Sequence, residues 1–212
     1  ILQTVIYYTE SYNPSIISNG IGAYILSKEA KKDGLKVVLT GDGADEMFMG
    51  YYDKETLPSN KPWQEIHKAL IDNLHTTEIR RIDLSCMANT IEIRAPFLDK
   101  NIYDTVSSFS YEDLFGVGTN NLNKNILREA FKDDLPYKIY NRKKVSFDVG
   151  SGIQKMMVDL CEEQSITEED YLKDIWDKLF FTTLSKFSKK KYFYSYPAFD
   201  KVIPSRGKKY IK

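Results

Sequence analysis

Residues 37–46 read VVLTGDGADE, an apolar run that stops at Thr40 and opens into two glycines bracketing one carboxylate, with two more carboxylates directly behind. Gly41 and Gly43 let a chain turn sharply and bring bare backbone against a ligand. Asp42, Asp45 and Glu46 fall within five residues. Their mutual repulsion calls for a cation or a set of hydrogen-bond donors to hold them together. That pattern suits a nucleotide or metal site, and its plain alternative is a solvated acidic turn. Thr40 adds a hydroxyl that could reach a ribose or phosphate, although threonine at the end of a strand also reflects β-propensity alone.

Farther on, opposite charges recur at close spacing. Glu78 and Arg81 stand one helical turn apart with Asp83 close behind, which is either a surface ion pair or a substrate-facing one. Glu92 and Arg94 flank Ile93 in an extended approach to Pro96, so alternation places both on one side. A structural ion-pair network is the favoured reading of that second group and Asp99.

The elements that must carry these residues follow from periodicity. Residues 17–32 repeat apolar positions at helical spacing, lysines gather near the end, and Gly34 stands where a C-terminal cap is wanted. An apolar strand at 35–39 follows, of the kind buried on both faces, then the acidic loop, then a helix from about Asp45. Helix, glycine, strand and glycine-rich loop form the grammar of a parallel α/β sheet, whose ligands sit at the carboxyl ends of strands. Two helices with a break near His75 are predicted over 63–90, and others over 101–108, 123–133, 153–163 and 168–179, the last capped by Thr167. With one convincing strand, the expectation is an α/β fold that is mostly helical in the part seen.

Composition narrows the function classes. Thirty basic residues balance thirty acidic ones in 212, so no overall field favours nucleic acid or an anionic membrane. The run Lys189-Lys190-Lys191 with Tyr192 and Tyr194 reads as a solvated basic rim rather than a nucleic-acid contact. No apolar stretch approaches the roughly 20 residues that cross a bilayer, and no basic segment precedes an apolar one at the start, so a cytoplasmic protein is expected. Cys86 and Cys161 are far apart and His67 and His75 are the two histidines, which disfavours a disulfide framework, a zinc site or a histidine-rich metal centre.

Four segments combine into a sharper signal. They are TGDGADE at 40–46 followed by Gly50-Tyr51, then RIDLSCMANTIEIRAPFLD at 81–99, then KNILR at 124–128 closed by Leu135-Pro136, and RKKVSF at 142–147. Together they resemble the synthetase domain of the glutamine-dependent asparagine synthetases and the related β-lactam synthetases. That family's pattern runs SG(E/D)G(S/A/G)DE, RxDxxSMAxxxExRxPFLD, KxxLR, LP and RxKxxF. The likeness extends from about residue 5 to about residue 204, with Thr40 and Cys86 standing where the pattern has serine. The stretch Lys191-Tyr192-Phe193-Tyr194 with Phe199 resembles the family's closing segment.

The resemblance implies a partial Rossmann-like sheet of the PP-loop ATP pyrophosphatase type. It implies ATP and Mg2+ as cofactors, with aspartate and ammonia derived from glutamine as substrates. An acyl-adenylate and magnesium pyrophosphate would form first, and ammonia would then attack the acyl carbon. Residue by residue, Asp45 matches the carboxylate associated with magnesium. Lys124 and Lys144 match two lysines near the phosphates, Lys144 being the one that stabilises the charge developing in the reaction. Thr40, Gly41 and Gly43 match the loop beside the nucleotide. Asp42 matches an acidic position that can orient the nucleophile or accept its proton. Glu78 and Arg81 match a helix on the amino-acid side as contacts for the substrate, and Glu78 joins Lys144 and Asp42 among the catalytic candidates. Arg128 has no settled role.

The family's SGGxDS phosphate loop and its N-terminal glutaminase cysteine are absent from these 212 residues. The chain is therefore expected to be the C-terminal part of one synthetase domain, with a nucleotide-site half over 1–110 and a helical portion and tail over 111–212. It is expected to be inactive alone, and to work with the missing segments in cis or on a second chain, as a possible homo- or hetero-oligomer. Two rival readings are an amidotransferase or β-lactam-type ligase of another acid, and a non-catalytic half-domain completing a partner's sheet.

Overall fold

Asn13 and Pro14 explain where the longest helix begins. In the computed structural model, which describes residues 1–116 and 122–180, helix α1 spans Leu2–Thr9 and helix α2 spans Pro14–Lys32. The Asn13 side chain accepts hydrogen bonds from the Ser15 and Ile16 amides at 3.0 and 3.3 Å, and Pro14 occupies the first turn, where no amide is needed. The helix starts three residues before the apolar period does because this cap is polar. Lys31 and Lys32 close it, and Gly34 follows at φ 77°, as its position predicts.

Strand β1 is Val37–Leu39, and β2 is Glu92–Arg94; the two lie side by side in a small parallel sheet. The Glu92 amide donates to the Lys36 carbonyl at 2.9 Å. Burial on both faces is corrected here. Val37 is 36% and Leu39 74% exposed, whereas Val38 packs with Ala23, Ile82, Cys86, Ile91 and Ile93. Side chains alternate along a strand, so this pair of strands covers the Val38 face alone.

Helices α3 (Ala44–Met47), α4 (Trp63–Asn73) and α5 (Glu78–Met87) follow β1, with the break at His75 where expected. After β2 come a 3-10 turn at Pro96–Leu98 and α6 (Lys100–Ser107), capped by the Asp99 side chain on the Asn101 amide at 2.8 Å. A π turn at Glu112–Gly116 follows, and then α7 (Asn125–Ala130), α8 (Tyr137–Tyr140), α9 (Phe147–Gly150), α10 (Ile153–Glu163) and α11 (Glu168–Phe180). Thr167 accepts from the Asp170 amide at 3.1 Å, as its predicted capping role requires.

The chain divides into two compact units. The first gathers Ile1–Val38, His75–Arg94 and the described residues from Ser146 onward. Its core is Val5, Ile6, Ile17, Ile21, Met157, Leu172 and Trp176, contributed by α1, α2, α10 and α11. The second gathers Leu39–Leu74 and Ala95–Val145, around Met47, Phe48 and Val106.

In this second unit His67 is buried, with Nε2 3.0 Å from the Met47 carbonyl. Burial lowers its pKa, against the pull of the Met47 and Glu46 carbonyls. An unfolded histidine binds its proton near pH 6.5. Below that the unfolded state holds more protons, so this residue's contribution to stability is present above about pH 6.5 and declines as pH falls through it. Replacing His67 with glutamine, whose amide can still donate to Met47, is expected to flatten the fall in unfolding temperature between about pH 7.5 and 5.5. An unchanged slope would remove His67 as its source.

Candidate functional site

Where β1 ends, the loop folds on its own polar side chains. The Thr40 hydroxyl donates to the Asp42 carboxylate, and the Asp42 amide donates to the Thr40 oxygen at 3.3 Å. The Ala44 amide reaches the Gly41 carbonyl at 3.3 Å, closing the turn. A methyl on Gly41 would meet none of the described residues within 4 Å. Gly43 sits at φ 91°, and a β-carbon there would come 2.3 Å from a Leu98 methyl. Glycine is required at that position both for the turn and for the seat of Leu98.

Helix α3 then presents two acids from its first turn in different surroundings. Glu46 is 2% exposed and accepts from the Tyr51 hydroxyl. Asp45 is partly open and holds two cations. Its Oδ1 accepts from Lys124 Nζ at 2.7 Å, and its Oδ2 accepts from Lys144 Nζ. The three side chains keep 20 to 24% of their surface in solvent. Burial by itself would raise the Asp45 pKa, but the Lys144 and Lys124 ammonium groups hold the carboxyl below the usual range.

The surroundings explain this convergence. A β-carbon on Gly50 would lie 2.0 Å from Asp45 Oδ1, so the absence of a side chain there makes room for the carboxylate. Lys124 has a left-handed backbone, φ 58°, at the start of α7. Lys144 comes from the stretch between α8 and α9, with its ammonium 5.4 Å from the centre of the Tyr51 ring. Tyr51 therefore touches both Glu46 and Lys144, a role that the sequence marks by placing Gly50-Tyr51 directly behind the acidic loop.

Arg128 reaches backbone. Its Nε donates to Asn123 O at 2.8 Å, Nη1 to Ile139 O at 3.2 Å and also to Tyr140 O, and Nη2 to Arg142 O at 2.9 Å.

The structure thus brings Asp45, Lys124 and Lys144 together, and Thr40 with Asp42, all within the second unit. Glu78 and Arg81 lie on α5 in the first unit, 3.6 Å apart and mostly buried, which replaces the surface-pair reading with an enclosed one. Neighbouring Arg80 donates to Thr9 O at 3.1 Å and ties α5 to α1. Glu92 and Arg94 form the expected structural pair at 2.8 Å, exposed to solvent. The basic run at 189–191 and the aromatic residues through Phe199 lie outside the described residues.

Two ammonium groups flanking one carboxylate suit a polyanion that arrives with a divalent cation. Among the described residues no group of three His, Cys, Asp or Glu side chains could hold a metal by itself. Magnesium commonly takes one or two carboxylates and completes its shell with phosphate oxygens and water. Asp45 would fit that division as the one carboxylate, and Lys124 and Lys144 stand beside it. Among the described residues no helix is long and apolar enough to cross a membrane.

The family model described as asparagine synthase matches residues 1–69 and 52–198. Asparagine synthetase B (glutamine-hydrolyzing) of Escherichia coli is 33% identical over 151 residues, covering 71% of this chain and 27% of that protein. Asparagine synthetase (glutamine-hydrolyzing) 1 of Arabidopsis thaliana is 33% identical over 156 residues, covering 71% and 27%. Asparagine synthetase (glutamine-hydrolyzing) of Zea mays is 30% identical over 174 residues, covering 79% and 30%. The chain spans less than a third of the length of these relatives.

Proposed function

Because the chain belongs to the asparagine synthase family, we propose that it carries the pyrophosphate-handling side of an ATP-dependent amide-forming site, and that the product is asparagine. The observation that carries this reading is the meeting of Lys124 and Lys144, 79 and 99 residues from Asp45 in sequence, on that one carboxylate. In the first step an oxygen of the aspartate side-chain carboxylate attacks the α-phosphorus of ATP. The bond to the bridging oxygen breaks and pyrophosphate leaves with its electron pair. Lys144 and Lys124 stabilise the negative charge that grows on the leaving oxygens, because their ammonium groups are already in place when it develops. Magnesium, held by Asp45 and phosphate oxygens, would neutralise part of the same charge.

In the second step ammonia attacks the acyl carbon, AMP leaves, and the ammonium proton is lost. Asp42, fixed by Thr40, is the carboxylate that orients the nitrogen or takes that proton. Thr40, Gly41 and Gly43 form the loop against the nucleotide, and Glu78 with Arg81 contacts the amino acid. Strands β1 and β2 belong to a larger Rossmann-like sheet of the PP-loop type, and glutamine supplies the ammonia through a glutaminase segment in cis or on a partner.

The test uses the protein as it is made in the cell, with ATP, Mg2+, aspartate and ammonium, following pyrophosphate and asparagine together. Both products appearing in equal amounts is the expected result. Pyrophosphate release with a different acid but not with aspartate would move the activity to another amide, and release with no acid at all would overturn adenylation.

A further inference from the structure

Lys124 and Lys144 stand on segments that the Arg128 side chain joins, alongside the Tyr140 hydroxyl, which donates to the Glu129 carboxylate. Arg128 lies one turn into α7, yet its guanidinium points back to the carbonyl of Asn123, immediately before Lys124. Its remaining edge bonds Ile139 O and Tyr140 O at the end of α8, and Arg142 O, two residues before Lys144. The planar fork thus joins the backbone beside one lysine to the backbone beside the other. Lysine has no such fork and cannot reach all four carbonyls at once.

The sites it fastens need fastening. Lys124 sits in the left-handed region, where a side chain with a β-carbon is strained, and the Asn123 carbonyl belongs to the peptide that sets this turn. Residues 141–146 between α8 and α9 are irregular, so no helix or strand ladder fixes the Lys144 backbone.

We propose that Arg128 is a positioning residue for the phosphate-binding pair: by bonding the main chain on either side of the site it sets the separation of the Lys124 and Lys144 ammonium groups. This rests on the reading of those lysines as binders of the pyrophosphate portion of ATP. The guanidinium touches no reacting atom in this role, and its effect passes through the two lysines.

The test compares R128K with K144A and the unmodified protein, each made as in the cell. In R128K the KM for magnesium ATP is expected to rise about tenfold and kcat to fall by a similar factor, while the KM for ammonia stays constant, because a displaced ammonium near the phosphates costs alignment there. A purely structural role would reduce the active fraction and leave every KM unchanged, and that result overturns the proposal. If K144A is impaired and R128K has wild-type kcat and KM, the clamp is refuted while the reading of the lysines stands. If K144A itself is unimpaired, the site reading fails and the proposal fails with it. Should R128K not fold, the unmodified protein decides: the Arg128 Nε proton is expected to exchange with solvent at least tenfold more slowly than in free arginine. Exchange at the free rate overturns the clamp.

Discussion

Replacing Lys144 with alanine is expected to lower turnover by on the order of a hundredfold or more, equivalent to about 2.7 kcal/mol of transition-state stabilisation. Its ammonium lies against Asp45, where the departing diphosphate and its metal would gather, so the deletion removes charge stabilisation at the moment of bond breaking. The fold should survive. Lys144 remains partly solvated, and Asp45 keeps Lys124 at 2.7 Å. A pH measurement gives an independent check. The lysines depress the Asp45 pKa, so their contribution to stability is present above the ordinary carboxylate range and is lost as pH falls through the lowered value. K144A should shrink that contribution and move acid unfolding to higher pH. A wild-type turnover rate in K144A would remove the residue from the mechanism.

Changing Asp45 to asparagine should produce two effects of opposite sign. Magnesium-dependent turnover is expected to fall by a hundredfold or more, because a neutral amide anchors a hard cation poorly. Binding of metal-free pyrophosphate, measured by calorimetry in the presence of a chelator, is expected to tighten. In the parent protein the carboxylate occupies both ammonium groups, and an incoming anion has to displace it. Without that competitor the two ammonium groups lose the carboxylate that an incoming anion would have to displace. Weaker metal-free binding in D45N would mean that the ordering of the lysines by Asp45 outweighs its competition with their ligand.

The acidic loop was legible because its signals are local. Two glycines and three acids at the end of an apolar run mark a turn, and Gly43 has the positive φ that the pattern demands. Helix α10 is equally plain, since residues 153–163 repeat their apolar positions at the helical period over the whole element. Helix α1 was not. Val5, Ile6, Tyr7 and Tyr8 are β-branched or aromatic, with no intrinsic preference for helix, and what makes them helical is the burial of Val5 and Ile6 against α2 and α11. The exposure of Val37 and Leu39 could not be read from the strand either, because a continuous apolar run looks the same whichever faces are covered.

At the site, residue types were visible and partners were not. Motif order placed Lys124, Lys144 and Asp45 in one chemistry through family resemblance, but no local spacing relates residues so far apart. The reach of Arg128 was still less accessible, since its acceptors are main-chain carbonyls and any residue at 123, 139, 140 or 142 would offer the same atom. Gly50 falls between these cases. It stands in the motif, yet its reason emerges only when the Asp45 carboxylate is seen lying where a methyl group would be.

One carboxylate gripping two long, flexible side chains would also bear on how fast and how tightly the proposed nucleotide is taken up. Freezing a lysine on association commonly costs about 0.5–1.5 kcal/mol in lost rotational freedom, and here that loss has been met during folding. On the proposed reading a ligand would exchange one anion for another across ammonium groups already held in place, so the entropy of loading would fall on the chain's assembly.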